Sequence, residues 1–369
     1  MERITNYQLF TITLLYQLGT TIIFGFGSNA GRDAWIAALC STFLGTIVIM
    51  MYIALMRMNP GLTLIQVFPA QLGRWIGTPI SWLYPLLFLF DAGRIVGDLR
   101  DLVPSTILPN TPPLVFNGLF MLVMAYALFL GIESFARAGE NLFSIIILLF
   151  LIEVVLLFSS KVINFDYLLP LLDKGWSPIW KEVFPAGITQ SYGETIAFAM
   201  IWIQTKNPER IMKITIISSL LSGIMIAFSL VLAITIFGED LFKRSIYPLY
   251  TMLGVVNVGD FINNLNPIGV IYFTTTAFFK MYIKIFAAIY AIKQLTRLQS
   301  YRVLILPSII IVLYIGMTVS KNVSEHIFYL ALKIVTPYIW VPMFLILPAI
   351  LFVVTWVKQK VIKRKSNST

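Results

Sequence analysis

The chain alternates long apolar runs with short polar stretches. Charge-free runs occupy 4–31, 34–56, 102–132, 214–238, 303–320 and 334–357, and four more at about 78–99, 140–160, 183–205 and 268–292 carry only a few charges. A hydrocarbon core about 30 Å thick is crossed by roughly 20 apolar residues of helix. The pattern therefore predicts an all-α polytopic membrane protein with ten transmembrane helices. The linkers 57–77, 161–182 and 239–267 hold Pro, Trp, Tyr and paired charges. They are expected as interfacial helices or loops, because amphipathic rings favour the headgroup level.

Ten spans divide into two sets of five, and an odd number forces the second set to insert upside down. Such an inverted repeat is marked by interrupted hydrophobic segments at matching positions in its halves. The first span contains Gly19, Thr20 and Thr21, then Phe24-Gly25-Phe26-Gly27-Ser28. The sixth contains Pro185-Ala186-Gly187, then Ser191-Tyr192-Gly193-Glu194. Glycine eases departure from helical geometry and proline removes a backbone donor. Breaks at mid-membrane survive only where they line a cavity or are buried in protein. Small residues also serve close helix packing, but matched breaks in spans 1 and 6 favour a binding site. The expectation is a single permease-like domain over 1–369, with a first repeat at about 1–160, a second at about 183–357 and a basic tail at 358–369.

Composition agrees with this reading and narrows it. Hydrophobic residues make up 58% and charged residues 12%, where a soluble domain carries about 25% charged. The single Cys40 and single His326 leave no material for a disulfide framework, a Cys-rich zinc site or a His-based metal cluster. Cys40 is expected as a small core residue and His326 as a solvent-facing loop residue. A net charge of +10 would suggest nucleic acid for a soluble chain. Here the basic residues cluster between apolar runs, as positive-inside loops do. A cytoplasmic N-terminus places Arg57, Arg74, Lys206, Arg210, Lys213 and the tail VKQKVIKRK inside, a modest excess over the other face. Both termini are therefore expected in the cytoplasm, and the start MERITNYQLF lacks the features of a cleaved signal peptide. With no Walker loop, nucleophile triad or metal set, the chain reads as a non-enzyme without cofactor.

Further stretches stand in a fixed order: Gly31-Arg32-Asp33-Ala34-Trp35, Leu108-Pro109-Asn110-Thr111-Pro112, Gly131-Ile132-Glu133 through Arg137, Tyr192-Gly193-Glu194, and Tyr247-Pro248 followed by Gly259-Asp260-Phe261-Ile262. In these the chain resembles, nearly end to end, the B-subunit permeases of bacterial spore germination receptors, a branch of the amino acid–polyamine–organocation superfamily. After Asp260-Phe261-Ile262 that family usually carries an Arg and a Glu, where this chain has Asn263, Asn264, Leu265 and Asn266. No role is carried onto that loop. The resemblance implies a LeuT-like fold and a receptor in the inner membrane of a dormant spore. It also implies an A subunit and a lipoprotein C subunit as partners, and a small nutrient, commonly an amino acid or sugar, as trigger. Beyond these partners only membrane lipid is expected, and no nucleic acid.

An amino acid in a membrane pocket needs free N–H groups for its carboxylate and unwound carbonyls for its ammonium. The broken segments around Gly25, Phe26 and Gly27 and around Gly187, Tyr192 and Gly193 offer both. Thr20 and Thr21 are candidate hydroxyl donors, unless they bond back to their own helix. Glu194, an ionisable group inside a span, is a candidate ligand contact, proton site or buried latch; the plain alternative is a structural ion pair. Lys280 and Lys284 share one face of the eighth span. By analogy with sodium-coupled relatives in the superfamily, Lys280 can supply a cation's charge between spans 1 and 8. Thr276 could line the same cavity or bond within its helix. Lys284 is expected to snorkel toward the interface, and Glu153 to reach it from near a helix end. Asp91, Arg94, Asp98, Arg100 and Asp101 have the spacing of a self-neutralising stripe on the third span; the alternative is a selectivity role in an aqueous vestibule. Three functions stay open: a nutrient-sensing receptor subunit, an amino acid transporter coupled to protons through Glu194, and a scaffold subunit that binds no ligand.

Overall fold

The computed structural model describes residues 3–21, 24–258, 262–263 and 265–366. Gly259, Asp260, Phe261 and Asn264 of the departing loop, and tail residues 367–369, lie outside the described residues. The first helix, α1 (Asn6–Leu18), opens on a capping box between Thr5 and Gln8 and stops at Gly19, whose φ is +39°. Turns at positive-φ Gly27 and Gly31 then lead into α2 (Ala34–Met58). The short α3 (Leu64–Leu72) follows, then α4 (Arg74–Thr106), α5 (Pro113–Leu130) and α6 (Ile132–Ser159). The 102–132 run is thus divided: its first residues close α4, and Pro112 and Pro113 start a new helix.

The second half begins with α7 (Trp176–Glu182), then a segment at 183–204 that never settles into a regular helix. It holds one wide turn, the four-residue α8 (Ile188–Ser191) and two tight helical stretches. Then come α9 (Ile211–Arg244), bent at Gly238, α10 (Pro248–Gly254), α11 (Asn266–Thr296) and α12 (Ile305–Thr318). A wide-turned helix over Glu325–Ile346, carrying Pro337 and Pro342, continues into α13 (Leu347–Ser366). Each of those prolines lacks the N–H that a tight helix needs. Among the described residues the only strands are the two-residue pair Asn257–Val258 and Ile262–Asn263.

Among the described residues, eight helices are long and apolar enough to cross a membrane. The first and sixth predicted spans are interrupted, as their glycines and Pro185 predict. The predicted interfacial linkers carry the short helices α3, α7 and α10. Outward faces of α5 and α6 expose Leu119, Leu122, Tyr126, Leu148, Leu151 and Val155, as a chain solvated by lipid requires. Inside, α11 and α12 pack on α4, while α9 packs on α1 and α2. Ile4 pairs with Thr205 beside the start of α9, and Gln359 donates to the Met58 carbonyl at the end of α2. Both chain ends therefore gather on one side of the bundle.

Five expectations are corrected here. His326 is not a solvent-facing loop residue: it is 1% exposed within the last helix. Its Nε2 lies 3.0 Å from Asp98 Oδ1, its Nδ1 3.0 Å from Ser320 Oγ, and a Cβ on Gly97 would meet its ring at 2.8 Å. Lys284 does not snorkel, because carboxylates on α4 and on the 183–204 segment lie within its reach. Glu153 is fully buried and does not reach the interface. The acidic and basic groups of α4 do not neutralise one another as a stripe, except that Arg100 pairs with its neighbour Asp101; Asp91 and Asp98 meet Lys284 and His326 from distant helices instead. Cys40 is half-buried rather than in the core.

Candidate ligand site

The two broken segments meet α11, which supplies what their backbones lack. A helix that stops early leaves carbonyls without partners. The Gly19 carbonyl accepts a 2.7 Å bond from the Thr276 hydroxyl. In the sixth segment the Gln190 carbonyl accepts from Lys280 Nζ at 3.1 Å, and the Glu194 carbonyl accepts from the Tyr16 hydroxyl at 2.7 Å. Thr21 and Ser191 hydroxyls, 2.9 Å apart, join one break to the other. Gly19 is needed for space as well as for its positive φ, since a Cβ there would sit 2.6 Å from Lys280 Cδ.

Four charged side chains close the inner end of this region. Glu194 Oε2 lies 2.9 Å from Lys280 Nζ and 2.9 Å from Lys284 Nζ. Lys284 Nζ also lies 3.0 Å from Asp91 Oδ2, while Asp91 Oδ1 accepts from Trp340 Nε1 at 2.9 Å. Two carboxylates against two ammonium groups make a neutral cluster, and none of the four side chains is more than 4% exposed. Such groups are tolerated in a membrane interior when paired in this way. The cluster ties α4, α11, the sixth segment and the last helix together.

Above the cluster lies a cavity of about 140 Å³. The first break contributes Thr20, Thr21, Gly25, Phe26 and Gly27 to its wall, α4 contributes Arg94 and Asp98, and the last helix contributes Trp340. Asn29, Glu182 and Arg244 stand at its mouth. Because α9 runs some 50 Å at 1.5 Å per residue from beside Ile4 to Arg244, the mouth is on the side opposite the chain ends.

Of the residues singled out from sequence, Thr20, Thr21, Gly25, Phe26, Gly27, Glu194 and Lys280 line this cavity. Gly187, Tyr192, Gly193 and Thr276 do not. A Cβ on Gly187 would lie 2.2 Å from Ser41 Oγ, the Tyr192 hydroxyl is 2.7 Å from Thr42 Oγ1, and Gly193 abuts Phe344. These residues seat the sixth segment on α2 and the last helix. Sequence reasoning took Arg94 and Asp98 to a cavity only in its alternative of an aqueous vestibule, and it missed Trp340. The one signal available for the first two was their spacing of four on α4, which puts them on a common face.

A second network braces the mouth. Arg32, Lys174 and Lys243 converge on Glu239, with Arg32 Nε at 3.0 Å and Lys243 Nζ at 2.5 Å. Asn29 Nδ2 donates to Glu182 Oε1 at 2.6 Å. Burial raises the carboxyl of Glu182, which ends the interfacial α7, above its ordinary pKa, against the opposing bond from Asn29.

This architecture, with two broken segments facing each other across a cavity, defines a LeuT-like fold. The structure of Mhp1, a nucleobase-cation-symport-1 family transporter in a closed conformation with bromovinylhydantoin bound, is similar with a TM-score of 0.61 and 14% identity, over 87% of this chain and 73% of that one. Residues 3–325 match the spore germination protein family of permeases, and the chain belongs to that family. It is 30% identical to spore germination protein KB of Bacillus subtilis (strain 168) over 366 residues, 99% of this chain and 98% of that relative. It is 22% identical to spore germination protein XB of Bacillus anthracis over 289 residues, 77% of this chain and 79% of that relative.

Proposed function

We propose that this chain is the permease-like subunit of a spore germinant receptor and binds a small nutrient in the cavity between its first, third, sixth and eighth spans. The observation that carries this reading is the placement of the cavity. It ends on the Asp91–Lys284–Glu194–Lys280 cluster, which joins the sixth segment to α4 and α11, and the first break lines the same cavity. A ligand seated there touches the elements whose relative positions define the state of the bundle. It shifts that state by as much as its affinity differs between the two arrangements. An A subunit and a lipoprotein C subunit in the spore's inner membrane would read the change. The chain then crosses the membrane ten times, in two inverted repeats of five, with both termini in the cytoplasm.

Gly25 lines the cavity, and a Cβ there would meet Pro248 Cγ at 3.1 Å. Gly25→Val is therefore expected to raise the half-saturating nutrient concentration for germination by about tenfold or more, the equivalent of 1.4 kcal/mol or more, at unchanged protein level. Dose–response curves over several decades of concentration check this, and an unchanged curve removes the cavity from the reading. Accumulation of radiolabelled nutrient by this chain alone in vesicles would favour the alternative of a proton-coupled amino acid transporter.

The proposed orientation has its own test. In a Cys40→Ser background, cysteines placed at Lys206 or Lys358 should resist an impermeant thiol reagent in intact cells. Cysteines at Lys174 or Tyr167 should react. External labelling at Lys358 reverses the topology and puts the cavity mouth in the cytoplasm.

A further inference from the structure

We propose that Arg94 is the anchor for a carboxylate, so that the cavity takes a small organic acid of the amino acid class and turns away uncharged sugars. This rests on the cavity being the nutrient site. Arg94 lines the cavity, is 9% exposed, and its Nε is sealed from solvent without a hydrogen-bond partner. Among the described residues no carboxylate lies within 4.0 Å of its guanidinium and no acceptor bonds to it. The acids nearby are otherwise engaged. Asp91 spends one oxygen on Lys284 and the other on Trp340; Glu194 holds both lysines; Asp98 turns Oδ1 toward His326 Nε2 at 3.0 Å.

Buried cations are seldom left without a partner, because desolvation disfavours the charge and pairing offsets the loss. The partner of Arg94 is therefore expected to arrive from outside the chain. The setting also selects its shape. The guanidinium rests on the face of Trp340, 4.8 Å from the ring centroid, and Trp340 is held in turn by its bond to Asp91. Stacking uses the face of the guanidinium and leaves its N–H edge free, and that edge matches the two oxygens of a carboxylate.

Phe24, Ile95, Ile327 and Leu332 form an apolar part of the same wall, which suits the hydrocarbon portion of an organic acid rather than a bare inorganic anion. Asp98 stands one helical turn beyond Arg94 on the same face and also lines the cavity. A carboxylate on Arg94 thus places an α-ammonium within reach of a negative charge. The neutral cluster below offers no such unpaired cation. The anchor for the acid group consequently lies on α4, and not on the glycines of the broken segments.

The test uses the full chain in lipid nanodiscs and follows its thermal unfolding with the L-amino acids, their primary amides and glucose. An amide keeps the ammonium and side chain of its parent and lacks only the negative charge. We expect at least one amino acid to stabilise the chain, with its amide weaker by roughly thirtyfold or more, the loss typical of one partner of a buried charge pair. Arg94→Gln should remove that difference, and Arg94→Lys should restore part of it. Equal binding of amide and acid, binding of glucose alone, or undiminished acid binding by Arg94→Gln overturns the anchor while leaving the cavity as nutrient site. The comparison of acid with amide needs no variant, so it stands even if Arg94→Gln folds poorly. Failure of every compound to shift the wild-type chain refutes the nutrient-site reading itself.

Discussion

Glu194→Gln should destabilise the chain by about 3–5 kcal/mol, the usual cost of breaking a buried ion pair by removing one partner. The variant keeps shape and hydrogen-bonding capacity, so what it removes is charge. Lys280 and Lys284 both lie 2.9 Å from Glu194 Oε2. Without that carboxylate, the two ammonium groups share Asp91 alone, and one buried positive charge has no counterion. The double variant Glu194→Gln/Lys280→Met removes one charge of each sign. It leaves Lys284 on Asp91 at 3.0 Å and should recover most of the loss. Unfolding of the purified chain, wild type against both variants, completes the comparison. A double variant as damaged as the single one would show that Glu194 acts through something other than this cluster, and the nutrient response should follow the same order.

The second large effect is expected at Gly45 on α2. A Cβ there would lie 2.3 Å from Tyr192 Cγ and 2.4 Å from two further atoms of that side chain. No rotation of a ring relieves contacts at its root, so even alanine forces α2 away from the sixth segment. The neighbouring contact leaves little room to yield, because a Cβ on Gly223 would lie 2.1 Å from Thr42 Oγ1, the hydroxyl that Tyr192 engages. Overpacking of this kind costs about 1–3 kcal/mol, occasionally more, and Gly45→Val should sit at the upper end. Membrane levels of folded protein should fall sharply for Gly45→Val and hold for Gly25→Val, whose Cβ would come no closer than 3.1 Å to its neighbours. Equal levels for the two variants would mean that α2 and the sixth segment are not packed as described.

Much of the fold can be read along the chain. The runs that became α2, α9 and α11 announce themselves by length and apolarity. The interruptions at Gly19 and at Pro185 lie where the backbone leaves regular helix. Those features are local: the cost of placing a peptide group or a charge in hydrocarbon depends on the residue and its immediate neighbours. Thr20, Thr21, Gly25, Phe26 and Gly27 could therefore be placed at the cavity from sequence, because a helix broken in mid-membrane carries its neighbours to whatever space the break creates.

Which way a side chain turns inside the bundle is a different matter. A helix surrounded by other helices has no polar face to set its rotation, so apolar runs carry little information about azimuth. Gly187, Tyr192 and Gly193 face α2 and the last helix rather than the cavity for reasons that lie in Ser41, Thr42 and Phe344. His326 is buried because Gly97 makes room for it, and Lys284 stays inside because Asp91 waits 193 positions away in the chain. Arg94 shows the same limit from the other side: its spacing from Asp91 and Asp98 suggested partners on its own helix, and those partners are taken by Lys284, Trp340 and His326. Hydrophobic pattern and backbone breakers thus determined the spans, the two interruptions and the membrane as solvent. Tertiary packing alone decided which charges are paired and which cation is left facing the cavity, because the energy of a buried charge depends on neighbours that only the fold brings within 3 Å.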